Sequence, residues 1–341
     1  VEEAVELVRA QAEAGERLAL AELAGLLARH GRVGEAIDVL RPHLADWFLL
    51  EALAEATEGH GRDAEVADLV RTLVESETGT GKPGNAVIVL SRTLERQGRA
   101  DEAVEVLSAH IDSGHHRNVN TLEEFAGLLA RQDRLGLLRA FVAGPHGLYG
   151  VSPLAERLAE LGRLDEAVEA LRPFADASAN AASSLVDLLG RHGRVDEAIE
   201  VARPHLAESD CTCMLAVVLE LMTDHGRAAE ALGLLAEVVE HTRAEERDSL
   251  AHYRIWLLGE AGRTEEALAE AQGLGQDAYP SRAVSVARLL ADRGRREEAI
   301  AALQGTTEDS DRRELAHLLI EQGRPNEAVD LLRLSAIHRM S

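Results

Sequence analysis

The chain has 341 residues, with 36 basic against 60 acidic side chains and a net charge of −24, 46% hydrophobic residues and only 3% aromatic ones. That apolar content, interspersed with charge, belongs to a folded chain, and no apolar run reaches the roughly 20 residues of a membrane span. Two cysteines cannot staple a fold of this size, and so negative a chain repels phosphate backbones, so neither nucleic acid nor membrane is an expected partner.

The opening segment Val1–Ala10 reads as the second helix of a hairpin. The chain is therefore expected to begin inside a repeat, with either more repeats before it or its exposed face covered by another subunit, and an effector domain could lie upstream. From Gly31 a phrase then recurs: Gly-Arg, two variable residues, Glu-Ala, and an apolar stretch. It stands at Gly31, Gly98, Gly162, Gly193, Gly226, Gly262, Gly294 and Gly323. Weaker copies stand at Gly61 and Asp133, which gives ten landmarks spaced 29 to 37 residues apart.

Each phrase has a mechanical reading. An apolar stripe at helical spacing precedes it, as at Leu18, Ala21, Leu23, Leu26 and Leu27. Glycine then ends the helix, because the left-handed conformation costs it nothing. Acidic residues follow in the first turn of the next helix, where they complement its dipole. The alanine five positions after glycine is small enough for two helices to cross closely. Pro42, Pro173 and Pro204 are expected to end the second helix. One such hairpin cannot bury its own faces, but stacked hairpins can. The expectation is a single all-α, right-handed superhelical solenoid of about ten hairpins over residues 1–341. Segment 111–150 departs from the pattern: Asp133 replaces the turn glycine, Leu138 replaces the small alanine, and a Gly-rich link follows at Gly144–Gly150. It reads as a degenerate repeat that bends the array, with a hinge or docking loop as the alternative.

The residues Leu23-Ala24-Gly31-Ala36, Leu154-Ala155-Gly162-Ala167 and Leu315-Ala316-Gly323-Ala328 carry a resemblance. The chain resembles the tetratricopeptide repeat proteins, in the Arg- and Leu-rich form common in actinobacteria. The resemblance implies that the first helix of each hairpin lines a concave groove. Transferred repeat by repeat, it places Glu51, Glu55, Asn85, Arg92, Asn120, Glu123, Asn180, Asp187, Glu220, His252 and Trp256 on that groove. Asn85, Asn120 and Asn180 share one repeat position, where an amide could clamp a peptide backbone or simply favour a helix start. Trp256 is the expected anchor, whereas Trp47, just after Asp46, is expected to pack against the preceding hairpin.

Other motifs have plainer readings. Gly79–Gly84 lacks the serine or threonine and the preceding strand of a phosphate loop, so it reads as a long turn. Cys211-Thr212-Cys213 is too tight for a zinc site and reads as small core residues. His30, His60, His192 and His225 precede turn positions, where they meet the negative helix end. His115 and His116 stay as metal candidates. The expected function is a non-catalytic, cytoplasmic scaffold without cofactors that binds a protein or peptide, preferably basic, in an acidic groove. Two other functions stay open: a regulatory repeat tail of a signalling or transcription-regulating protein, and a solenoid enzyme with a His-lined hydrolytic or metal site. Open solenoid ends would also permit self-association.

Overall fold

An apolar stripe on a helix must be covered by another stripe, and here each helix is covered by its neighbours in sequence. The computed structural model describes residues 2–14, 16–76, 83–115, 118–206, 212–242, 244–274, 281–304 and 308–338. Two units emerge, residues 1–174 and 175–341. In the first, α1 (Glu2–Glu13) precedes five hairpins: α2 (Arg17–Arg29) with α3 (Val33–Leu40), α4 (Trp47–Thr57) with α5 (Asp63–Ser76), α6 (Pro83–Arg96) with α7 (Ala100–His110), α8 (Val119–Arg131) with α9 (Leu135–Val142), and α10 (Leu148–Glu160) with α11 (Leu164–Ala175). The second holds α12 (Ala179–Arg191) with α13 (Val195–Ala202), α14 (Thr212–Asp224) with α15 (Ala228–His241), α16 (Ala244–Glu260) with α17 (Thr264–Gln272), α18 (Arg282–Asp292) with α19 (Arg296–Leu303), and α20 (Asp309–Glu321) with α21 (Pro325–His338). No strand occurs among the described residues.

Within the first unit α2, α4, α6, α8 and α10 pack on one another in order, and within the second α12, α14, α16, α18 and α20 do the same. The core is Leu, Ala and Val. In α2 the buried residues are Ala19, Leu20, Leu23, Ala24, Leu27 and Ala28, while Leu18 is 74% exposed. The expected stripe was therefore placed too far toward Leu18, because the face is set by Leu20, Leu23 and Leu27 at helical spacing. Pro42 and Pro204 stand in short 3-10 turns after α3 and α13, as expected of helix ends. Pro173 instead lies inside α11, which runs on to Ala175, because a missing donor in a final turn costs only one bond.

The recurring glycines are left-handed caps. Gly31, Gly61, Gly98, Gly162, Gly193, Gly226, Gly262, Gly294 and Gly323 have φ between 68° and 76°. The Arg32 N–H donates to the Leu27 carbonyl at 2.9 Å and the Gly31 N–H to Ala28 at 2.9 Å, the Schellman arrangement. Asp133 takes the same conformation at φ 58°, the one non-glycine among the described residues to do so. Asp133→Gly is expected to stabilise the protein by about 0.5–1 kcal/mol, because glycine relieves a left-handed strain while the exposed Arg157–Asp133 pair contributes little. A urea midpoint that stays put or falls would contradict this.

The arginine of the phrase has a use of its own. The Arg32 guanidinium grips Glu35 through Nε and Nη2, both at 2.6 Å. The same pairing joins Arg62–Glu65, Arg99–Glu102, Arg163–Glu166, Arg194–Glu197, Arg227–Glu230, Arg263–Glu266, Arg295–Glu298 and Arg324–Glu327. Several of these glutamates also receive an arginine from the preceding hairpin, as Glu65 does from Arg41 just after α3 and Glu166 from Arg139 of α9. The hydrogen bond from Arg163, and then that from Arg139, hold the Glu166 carboxyl at about 2. Glu35, Glu230, Glu266, Glu298 and Glu327 are also lowered, first by the bond from their own arginine. The folded values lie below the ordinary carboxylate value of about 4.3, so this stabilisation is complete above that pH and fades as pH falls toward 2. Thermal midpoints are expected to be flat above pH 5 and to decline below it. A midpoint unchanged from pH 5 to 2.5 would show that the pairs contribute nothing.

Candidate functional site

The helices α4, α6 and α8 present one face to a cleft of about 400 Å3, lined by Trp47, Glu51, Asn85, Ile88, Arg92, Asn120, Glu123, Glu124 and Arg131. The helix starts fix its upper end. Asp46 caps α4, its Oδ1 accepting from the Phe48 N–H at 2.9 Å. Arg17 bonds Asp46 at 2.9 Å and stacks over Phe48 at 4.7 Å and Trp47 at 5.6 Å. Trp47 stays 49% exposed and lines the cleft. The expected packing against the preceding hairpin is present through Arg17, and Phe48 stands beside the indole, but no neighbour covers it fully. Asn118 caps α8 by accepting from the Asn120 N–H at 3.1 Å, and its Nδ2 donates to Asn85 Oδ1 at 3.3 Å.

The floor is an ion cluster. Glu124 is buried and accepts from Arg92 Nε at 2.7 Å and from Arg131 Nη2 at 2.7 Å. Arg131 also donates to Glu95 at 2.8 Å, and Gln132 adds a bond at 2.9 Å. Burial would raise the Glu95 carboxyl, but the Arg131 and Gln132 hydrogen bonds outweigh it and hold it low. Both arginines of the cleft are thus committed to carboxylates. Among the described residues no cation pairs with Glu51 or Glu123.

The expected groove residues therefore separate. Glu51, Asn85, Arg92, Asn120 and Glu123 meet in this cleft. Glu55 joins Glu51 and Phe48 in an adjoining cavity of about 300 Å3 beside α2. In the second unit, His252 and Trp256 line a cavity of about 230 Å3. Asn180, Asp187 and Glu220 are exposed and line none of these three cavities, and Asp187 is bonded by Arg191 at 2.9 Å. Glu220 does act on Tyr253, whose phenol is pushed up by burial and then by the charges of Cys213 and Glu220. The sequence reading missed Glu124, Arg131 and Asn118. Asn118 before Val119 carries a helix-cap signal, whereas Glu124 and Arg131 signal only as two residues two turns apart on one face.

The remaining candidates are quickly placed. Cys213 is an exposed free thiol rather than a core residue, since it stands at the first turn of α14 on the side away from Met214 and Leu215. Cys211, residues 79–82 and His116 lie outside the described residues, as does the side chain of His115. His225 Nδ1 lies 2.9 Å from the Leu221 carbonyl, so this histidine does meet a helix end. Among the described residues no three His, Cys, Asp or Glu side chains converge as a metal set, and no helix is long and apolar enough to cross a membrane.

Hairpins of near-constant length, joined by left-handed caps and stacked through their first helices, define an α-helical repeat protein. The tetratricopeptide repeat model matches residues 84–109, 149–173 and 312–333, and the PPR repeat model matches residues 181–201; these are the hairpins α6–α7, α10–α11, α20–α21 and α12–α13. The chain is a tetratricopeptide-like helical-repeat protein. Comparison with curated protein sequences gives no match. Among solved structures it is similar to the pentatricopeptide repeat protein PPR10 from maize, at 20% identity and a TM-score of 0.42, covering 97% of this chain and 48% of that one. It is also similar to Naa15/Naa10 bound to HypK-THB, at 12% identity and a TM-score of 0.36, covering 92% and 62%. The chain thus spans less than two thirds of either protein chain. Repeat scaffolds of these two families bind proteins or RNA and are typically non-catalytic.

Proposed function

We propose that this protein is a non-catalytic scaffold whose first unit binds an extended protein segment carrying basic side chains. The observation that supports it is the cleft itself, where Glu51 and Glu123 stand without a cation among the described residues beside the half-exposed Trp47. An arginine or lysine brought there gains a carboxylate partner and the face of an indole. The Asn120 amide, and the Nδ2 of Asn85 whose Oδ1 is taken by Asn118, can donate to a peptide carbonyl. A net charge of −24 draws basic partners from a distance and loses that reach as salt shortens the Debye length to about 8 Å. A role as the regulatory part of a larger protein is compatible with this reading. A second reading, RNA binding, rests on the match of residues 181–201 to the PPR repeat model. The net charge opposes it.

Fluorescence anisotropy with three probes separates the readings: an Arg- and Lys-containing nonapeptide, an acidic nonapeptide and a twelve-nucleotide single-stranded RNA. The basic peptide is expected to bind at 50 mM salt and weaken at 500 mM. The double substitution Glu51→Gln with Glu123→Gln is expected to weaken it about tenfold, near the upper range for two exposed charge contacts. Equal binding of both peptides, no effect of the double substitution, or tighter binding of the RNA would overturn the proposal.

A further inference from the structure

Carboxylates and guanidinium groups line the cleft of the first unit together: Glu51, Glu123 and Glu124 against Arg92 and Arg131. They are not equivalent. Of the three acids only Glu124 is buried, its side chain 7% exposed, and Arg92 closes on it with Nε at 2.7 Å and Nη2 at 2.6 Å. Among the described residues the hydrogen bonds of the Arg92 guanidinium all go to Glu124, whereas Arg131 holds Glu95 as a second carboxylate. The Arg92 side chain is still 51% exposed, so this fork is what ties its head group down. Arg92 also stands in the middle of the site. It is carried by α6, which packs between α4, the helix of Glu51, and α8, the helix of Glu123. A guanidinium let go by Glu124 would have two open carboxylates in the same cleft to turn to.

We propose that Glu124 is the positioning residue that sets the charge preference of this cleft: by holding Arg92 on the floor it leaves Glu51 and Glu123 open to a cation from outside. The inference rests on the reading of the cleft as a site for basic segments, and adds how the chain keeps its own cation out of that site. A cleft with both signs of charge on long side chains quenches itself unless something holds them apart. A buried carboxylate does so, because it needs a partner once water is withdrawn and its pull on a guanidinium is less screened than that of a solvated one. The planar fork of arginine fixes the direction of that pull. With Glu124 neutral, Arg92 and Arg131 would equal Glu51 and Glu123 in number, and Arg92 would compete with any ligand for the same two acids.

Glu124 also ties α6 to α8, so the test must separate charge preference from a structural role. The full chain is compared as the unsubstituted protein, Glu124→Gln, Arg92→Gln and the double variant, each below its melting midpoint by circular dichroism. Fluorescence anisotropy at 50 mM salt reads the basic and the acidic nonapeptide. Glutamine keeps the volume and one acceptor for Arg131 but frees Arg92, so Glu124→Gln is expected to weaken the basic peptide about fivefold and to strengthen the acidic one about as much. Adding Arg92→Gln is expected to return the basic peptide to within about twofold of the unsubstituted protein, a rescue that a structural loss would not give. Arg92→Gln alone leaves Glu124 its bond to Arg131 and is expected to change basic-peptide affinity by less than about twofold, because that arginine is already out of the way. No effect of Glu124→Gln, no rescue in the double variant, or a tightening of about fivefold by Arg92→Gln alone would overturn the inference. The last result would mean that Arg92 already quenches the rim. Loss of preference for the basic peptide in the unsubstituted protein overturns the reading of the cleft and this inference with it; the other failures, with that preference intact, overturn this inference alone.

Discussion

Gly147→Ala is expected to destabilise the first unit by about 3 kcal/mol or more, while Gly136→Ala, eleven residues earlier, is expected to stabilise it by up to about 1 kcal/mol. The two glycines differ in what stands in front of them. A Cβ on Gly147 would lie 2.0 Å from the Val142 carbonyl oxygen and 3.1 Å from the Phe174 ring. Backbone cannot swing aside as a side-chain tip can, so the α9–α10 connection would have to open. Gly136 lies within α9 and a Cβ there meets nothing within 4 Å. Alanine at that position only removes conformational freedom from the unfolded chain. Urea denaturation of both variants checks the pair. Equal midpoints would show that the Gly-rich link is not close-packed.

Leu138→Ala is expected to cost about 3 kcal/mol although it restores the residue most hairpins carry there. The equivalent positions Ala36, Ala103, Ala167, Ala198, Ala231, Ala267, Ala299 and Ala328 are all buried and small. Leu138 is equally buried, at 0% exposure. Leu138 fills this crossing with a larger side chain, and truncation is expected to leave a hole rather than a closer crossing. Beside it, Phe141 of α9 meets Phe125 of α8 edge to face at 5.3 Å, a second bulky contact between the two helices. A loss under about 1 kcal/mol would mean that the hairpin collapses readily around alanine.

The hairpins were legible in the sequence because each carries its own local signals: a left-handed glycine, a small alanine and apolar residues at helical spacing. Even Asp133 could be placed at a turn by its position alone, and it adopts the glycine conformation there. The use of the arginines was not legible. The pairing Arg32–Glu35 needs only a spacing of three, but the recurring glutamate is equally explained by the dipole of the helix it starts, so the sequence does not show whether the two side chains meet. The cleft was legible in half. Glu51, Asn85, Asn120 and Glu123 follow from repeat position. Glu124 does not, since a residue beside a groove position ordinarily faces the core, and only the arrival of Arg92 and Arg131 from two helices makes a buried carboxylate tolerable there. Trp47 packs under Arg17 of the preceding hairpin as expected and lines the cleft as well, since a helix-start tryptophan can do both.

The arginine–glutamate grip has a consequence for how such a chain can change length. Each fork closes within four residues, as Arg163 does on Glu166, and sits beside the glycine that turns the same hairpin. A stretch of some thirty residues copied elsewhere in the gene would bring its own turn and its own latch with it, asking nothing of the hairpin next door beyond an apolar face. Duplication or loss of a whole hairpin is thus a small step for this architecture, whereas a shift of one residue within the phrase unlatches the turn it interrupts.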